Sequence, residues 1–417
     1  MQLRRLLLPS AAVVGLIGVL MLWAGPAQGG ARALTDTVHY TQRAYEFAGD
    51  DHDTATAKAI AFVCDDKADY LDTPRDACER DAGGVLGFPR QYQAIFQARP
   101  GLPALMSLFI RVFGDQGIYL TILVLQVAAG VLLVLAAREL GLPGLWPLAA
   151  EAAYFLLPSG YVGTRVLSEA ASAPGLAALL YAVALLVRDR RRNLAVGVGA
   201  AAFAWLFAVR DADAVLAAGF LLLAGAAGYG LRRARTAWSA RLALLAGGGL
   251  AIMVAISSAL SWPTINQGIT DTMTNHFTQP VPADMYVRFL HAEFRFWRVF
   301  LPMISDGAYL VVLAALGLWG VARWARPRVA APVLAVAAVG PASLVLHPGD
   351  WARMLAPMWI VVAVGLPLLA VSWRSGRGAA ERGERPDEEP EGSRRGSGTP
   401  PCPVRGSRAR WPPTSDP

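Results

Sequence analysis

Lysine is nearly missing from this 417-residue chain, occurring only at Lys58 and Lys67. Charge of either sign is scarce too: Asp, Glu, Lys and Arg make up 17% of the residues, whereas a soluble domain carries about 25%. Of the three cysteines, Cys64, Cys78 and Cys402, no two form a CxxC pair. A phosphate-binding P-loop, a dinucleotide glycine fingerprint and an HExxH zinc motif are also absent. Redox, nucleotide-hydrolysing and zinc-protease chemistry therefore have no pattern to rest on.

What the chain has is apolar: 55% hydrophobic residues and a mean hydropathy of +0.40, the balance of a membrane protein. The net charge of +7 does not indicate a nucleic-acid partner, because the arginines fall in short clusters between apolar runs, as cytoplasmic loop anchors do. Arginine in place of lysine, with heavy Ala and Gly usage, matches the coding bias of a high-GC bacterium. The expected location is a bacterial plasma membrane.

A spanning helix needs about 20 apolar residues. The first such stretch, Leu6 to Trp23, follows Arg4 and Arg5. Its apolar run exceeds the roughly 7–15 residues of a signal-peptide core, so an uncleaved anchor is expected in preference to cleavage near Ala31-Arg32-Ala33. Further spans are expected near 117–137, 143–158, 168–187, 194–209, 213–231, 242–260, 307–322, 329–346 and 352–373, with Glu151 inside the short third one. The fold class is thus an all-α polytopic bundle of about ten transmembrane helices. With the N-terminus inside, the clusters at Arg138, Arg188–Arg192, Arg232–Arg241, Arg323–Arg328 and Arg374–Arg377 all become cytoplasmic. Both termini are then cytoplasmic.

This topology makes residues 1–373 the membrane domain and leaves two long polar segments outside, about 25–116 and 261–306. Connections of that length are usually functional or separately structured. Within the first, Leu102–Phe113 reads as an interfacial or re-entrant helix. If that loop faces the outside, Cys64 and Cys78 can pair, although spacing alone leaves two free thiols equally open. In the second, aromatic residues lie among His276, Arg288, His291 and Arg295. Such a mixture suits a sugar or peptide, and membrane interfaces also enrich aromatics. Residues 374–417, rich in Arg, Glu, Gly, Ser and Pro, are expected to form a disordered cytoplasmic tail.

The candidate chemistry lies at the outer ends of the spans. Thr35-Asp36-Thr37-Val38-His39-Tyr40 follows the first span, and Arg99-Pro100 precedes the interfacial segment. Arg165 and Ser168-Glu169 open the fourth span, Arg210-Asp211-Ala212-Asp213 joins the fifth to the sixth, and His347 to Arg353 enters the last. Any one of these could simply reach for water. Their convergence on one face points to a site.

This order of signals resembles the GT-C superfamily of membrane glycosyltransferases, which use polyprenyl-phosphate-linked sugars. The likeness runs through Asp36 to Tyr40, Arg99 to Phe113, Ser168-Glu169, Arg210 with Asp211 and Asp213, and Arg353 with Pro357. The resemblance implies Asp36 as the base that deprotonates an acceptor hydroxyl. It also implies Arg353 and Arg210, with Arg165 and His347 behind them, as groups for a departing lipid phosphate. Tyr40, Arg99 and Glu169 complete the expected substrate-binding set. Several branches carry two adjacent acids after the first span, whereas here Asp36 is followed by Thr37. A metal therefore lacks its obvious second ligand, and a divalent cation stays open. The cluster Asp50, Asp51, His52 and Asp53 reads as a solvated acidic turn. Two other functions fit an oily chain: a transporter or lipid-linked sugar translocase, and a non-catalytic protein of the same shape.

Overall fold

A computed structural model describes residues 2–24, 32–71, 73–189, 191–230, 237–303, 307–324 and 327–381. The chain divides between Ser372 and Trp373, and of the second part only residues 373–381 are described. Among the described residues every regular element is a helix. Arg190, Arg232, Arg233, Arg235 and Arg326 of the basic clusters, Ala31 of the weighed cleavage site, and the tail from residue 382 lie outside the described residues.

The chain opens with α1 (Gln2–Ala24) and then makes five helices before returning to the bundle: α2 (Thr37–Ala48), α3 (His52–Leu71), α4 (Arg75–Leu86), α5 (Arg90–Gln97) and α6 (Gly101–Phe113). This connection has its own hydrophobic core. Tyr40, Tyr45, Val63, Tyr92, Leu102 and Met106 pack together and onto Ile118 and Ile122 of α7 (Gln116–Glu139). A disulfide joins Cys64 of α3 to Cys78 of α4, closing a loop that restricts the unfolded chain by about 3 kcal/mol. The α6 helix buries Leu102 and Met106 and exposes Leu108, Val112 and Phe113, as expected of a helix with two apolar surroundings.

The bundle continues with α8 (Trp146–Leu156), α9 (Pro158–Gly163), α10 (Ser168–Val187), α11 (Arg192–Val209), α12 (Asp211–Gly230) and α13 (Ala237–Ala259). The second long connection holds α14 (Ile265–Met273) and α15 (Met285–Met303). It is followed by α16 (Ala308–Trp324), α17 (Pro327–Ala337), α18 (Val339–Leu346), the single turn α19 (Trp351–Met354) and α20 (Ala356–Glu381). α10 is the central helix, buried on every side against α7, α11 and α17, which explains why it is apolar all round. Water does not drive helices together inside a bilayer, so close backbone approach matters more there. At the α16–α20 contact a Cβ on Gly320 would fall within 2.1 Å of the Gly365 carbonyl oxygen. Only glycine permits that approach.

Among the described residues eight segments are long and apolar enough to cross a membrane, including the joined α17–α18 stretch Val329–Leu346. Two of the ten expected spans are shorter. α16 has 17 residues. The stretch expected as a span at 143–158 breaks into α8 and α9, with Leu157 extended at ψ 167°. Pro158 causes the break, since its ring excludes the preceding residue from helical geometry. Pro341 acts similarly between α17 and α18: it lacks the N–H that would reach the Ala337 carbonyl. α20 continues past the expected start of the tail to Glu381.

Candidate functional site

Two linkers far apart in sequence are fastened together at one end of the bundle. Trp23 Nε1 donates to the Thr164 carbonyl at 3.1 Å, and Val166 N donates to the Arg32 carbonyl at 2.9 Å. Thr37 Oγ1 donates to the Val166 carbonyl at 2.8 Å and accepts from Leu34 N at 2.9 Å. The start of α2 is thereby pinned beside the start of α10. Asp36 occupies the residue before α2, where an aspartate ordinarily accepts from the helix's free N–H groups. Its carboxylate makes no such cap bond. It accepts from Arg353 Nη2 at 2.9 Å instead.

Arg353 is the bridge. Its Nε donates to Glu169 Oε1 at 2.9 Å while Nη2 holds Asp36. Asp350, one turn earlier, places an oxygen 3.7 Å from the same Nε. Glu169 is almost wholly buried, with 2% of its side chain exposed. It also receives Ser168 Oγ at 3.2 Å and lies 2.7 Å from Arg210 Nη1, an ion contact off the hydrogen-bond angle. Arg210 Nε reaches Asp213 Oδ1 at 3.2 Å, and Ser343 Oγ donates to that same oxygen, also at 3.2 Å. Burial pulls the Arg353 guanidinium down, but Glu169 and Asp36 more than reverse this and hold it above the ordinary arginine range.

The cluster opens into a cavity of about 910 Å³. Asp36, Arg99, Glu169, Arg210, His347 and Arg353 all line it, so the structure brings together six of the eight residues expected at a site. Arg99 is the least tightly paired cation. Its Nε stands 3.6 Å from Asp211 Oδ1 without a hydrogen bond, and its Nη1 reaches the Tyr40 hydroxyl at 3.4 Å. Tyr40 stands behind Arg99, outside the described lining. Arg165 also lies outside that lining, its guanidinium 4.2 Å from the Tyr161 ring centre. His347 lines the cavity in uncharged form. Burial, with Arg210 and Arg99 nearby, lowers its pKa to about 4, so it is a neutral imidazole at neutral pH and offers no charge.

The opposite wall comes from α14 and the turn after it. Thr264 and Gln267 cap each other reciprocally at the start of α14, a Thr-x-x-Gln pattern visible in the sequence. Asp271 Oδ1 lies 3.2 Å from His276 Nδ1. The His276 ring stacks 5.1 Å from Phe88 and 4.7 Å from Tyr92. Asn275, His276 and Phe277 all have left-handed backbones, at φ 47°, 60° and 59°. Asp271, Tyr92 and Phe96 were not singled out from the sequence. An acid one turn before a histidine and an isolated aromatic pair are too common to stand out.

The acidic group at the start of α3 is engaged locally. Asp50 binds Lys58 at 2.8 Å, Asp51 accepts from Thr54, and His52 Nδ1 meets Glu46 at 2.8 Å. Among the described residues no group of three or more His, Cys, Asp or Glu is placed to hold a metal ion. Chemically, the site offers a carboxylate and guanidinium groups around a cavity that is walled by apolar side chains such as Leu216, Val254 and Trp262 on one side and by rings on the other. No known family model, curated protein or solved structure matches the chain.

Proposed function

We propose that this protein is a membrane glycosyltransferase. It moves a sugar from a polyprenyl-phosphate donor to an acceptor at the outer face of a bacterial plasma membrane, with both termini in the cytoplasm. The observation that carries this reading is the Asp36–Arg353 pair at the edge of a cavity with an apolar wall. The Cys64–Cys78 disulfide supports an oxidising, external setting for the first connection.

In this scheme the donor phosphate competes with Asp36 for the Arg353 fork, and Arg99, the loosest cation, takes further phosphate oxygens. Released from Arg353, Asp36 accepts the acceptor's hydroxyl proton as the acceptor oxygen bonds to the sugar's anomeric carbon. The anomeric C–O bond to phosphate breaks, its electron pair leaves with the lipid phosphate, and the guanidinium groups stabilise that charge. Glu169 holds Arg353 and Arg210 in place throughout. The prenyl chain lies against Leu216 and Val254.

The test is Asp36→Asn in membranes supplied with radiolabelled polyprenyl-phosphate pentose or hexose. Transfer is expected to fall by about 10²–10⁴-fold with insertion intact; full transfer would remove Asp36 as the base. One observation favours a transporter instead. Glu151 is fully buried in α8, and neither carboxylate oxygen has a hydrogen-bond partner among the described residues. Loss of solute uptake in Glu151→Gln, with sugar transfer unaffected, would decide for that second reading.

A further inference from the structure

α15 is a 19-residue helix with three distinct faces. Met285, Phe289 and Glu293 are buried on the first. Tyr286, Leu290, Phe294 and Leu301 form the second and are 59–69% exposed. Arg288, His291, Arg295 and Arg298 form the third, adjoining the apolar stripe at helical spacing and exposed along its length. Nearby acids neutralise only the first member of that stripe. Asp284 is taken by Arg288 at 2.8 Å, and Glu293 points inward to Trp297 Nε1 at 2.9 Å. Arg295 and Arg298 have no carboxylate partner among the described residues.

The helix's place in the chain limits what can cover these faces. α13 leads out of the bundle and α16 leads back in, so both ends of α15 are tied to the same end of the bundle. Three arginines and a glutamate, Arg288, Arg295, Arg298 and Glu293, keep it from being a span. An exposed apolar stripe flanked by a basic one is the pattern of a helix lying in the membrane surface. A second copy fits less well, because a two-fold contact would set identical basic stripes beside each other.

We propose that α15 docks on anionic phospholipid headgroups. Arg295 and Arg298 face the phosphates, and the Tyr286–Leu301 stripe enters the acyl boundary. The docking reaches the site: Phe300 packs 5.9 Å from the Trp351 ring, and Trp351 opens the turn that carries Arg353. The lipid surface thereby sets the position of the bridging guanidinium. This holds whether or not a sugar is transferred.

The test uses the full chain in nanodiscs of phosphatidylcholine, alone or mixed equally with phosphatidylglycerol, and follows backbone hydrogen exchange. Each arginine near an anionic surface contributes about fivefold, so exchange across α15 is expected to slow about 25-fold in the mixed discs. The turn at 347–355 should slow with it. In R295Q/R298Q the difference between disc types should vanish, with α10 exchanging as in the native protein to show that the bundle is folded. Equal exchange of native α15 in the two disc types would overturn the proposal. Protection that ignores lipid charge but follows a doubling of mass would also overturn it and assign the face to a second copy.

Discussion

Glu169 and Glu151 are both withdrawn from solvent, yet the regions around them are built differently. Glu169 sits where the two linkers are fastened at the end of the bundle, and Arg353, Arg210 and Ser168 surround it. Glu151 sits in mid-bundle, its oxygens pressed against glycine backbone: a Cβ on Gly130 would fall 2.2 Å from Glu151 Oε1, and one on Gly15 at 3.1 Å. One carboxylate organises charge, whereas the other fills space. A buried charge network is costly to break because each removed partner strands another. A lone buried carboxyl strands nothing when it is replaced.

The largest test of this contrast is Glu169→Gln. It strips Arg210 and Arg353 of their shared partner and should cost about 3–5 kcal/mol in thermal unfolding of the solubilised protein. A loss no larger than that of a surface substitution would erase the distinction. pH should separate the regions next. Burial lowers His39 to about 4, as it does His347, against an ordinary value of 6.5. The unfolded chain takes up these protons first, so stability is full above pH 6.5 and declines as pH falls towards about 4. Each histidine should contribute on the order of 1–3 kcal/mol to that decline. His39 stacks on Phe96 at 4.1 Å, so His39→Phe should keep the packing and flatten part of the profile; an unchanged profile would place the titration elsewhere.

Smaller effects belong to the mid-bundle. Gly130→Ala should cost about 1–3 kcal/mol by overpacking. Adding Glu151→Ala should restore much of that loss, since the two sites touch; strict additivity would show that they do not compete for space. Smallest of all, Glu151→Met should shift stability by less than about 1.5 kcal/mol in either direction. A loss as large as that of Glu169→Gln would mean that Glu151 has a partner after all.

The helical class and the shared face of the site were legible in the sequence for one reason. Alternating spans return polar ends to the same side, so Asp36, Glu169, Arg210 and Arg353 had to lie at one end. Their pairing was not legible. Arg353 reaches Asp36 across 317 positions and Glu169 across 184, and no local spacing encodes which acid takes which arginine. Nor does a histidine beside arginines announce its neutrality, which comes from burial. Pro158 did signal the break in the expected span at 143–158, but an apolar run of near-spanning length masks a kink. The cysteine pairing stayed open because it depends on α3 and α4 folding back on each other, which 14 residues of separation permit without requiring.

The left-handed run Asn275–His276–Phe277 builds backbone strain into the cavity wall. Each non-glycine residue held there costs about 1–2 kcal/mol. The hydrogen bonds from His276 N to the Asp271 carbonyl and from Phe277 N to Thr274 Oγ1 keep the run wound. Those two bonds hold the His276 ring against Phe88 and Tyr92 at the rim of the cavity, so the wall there is fixed by local bonding rather than by packing alone.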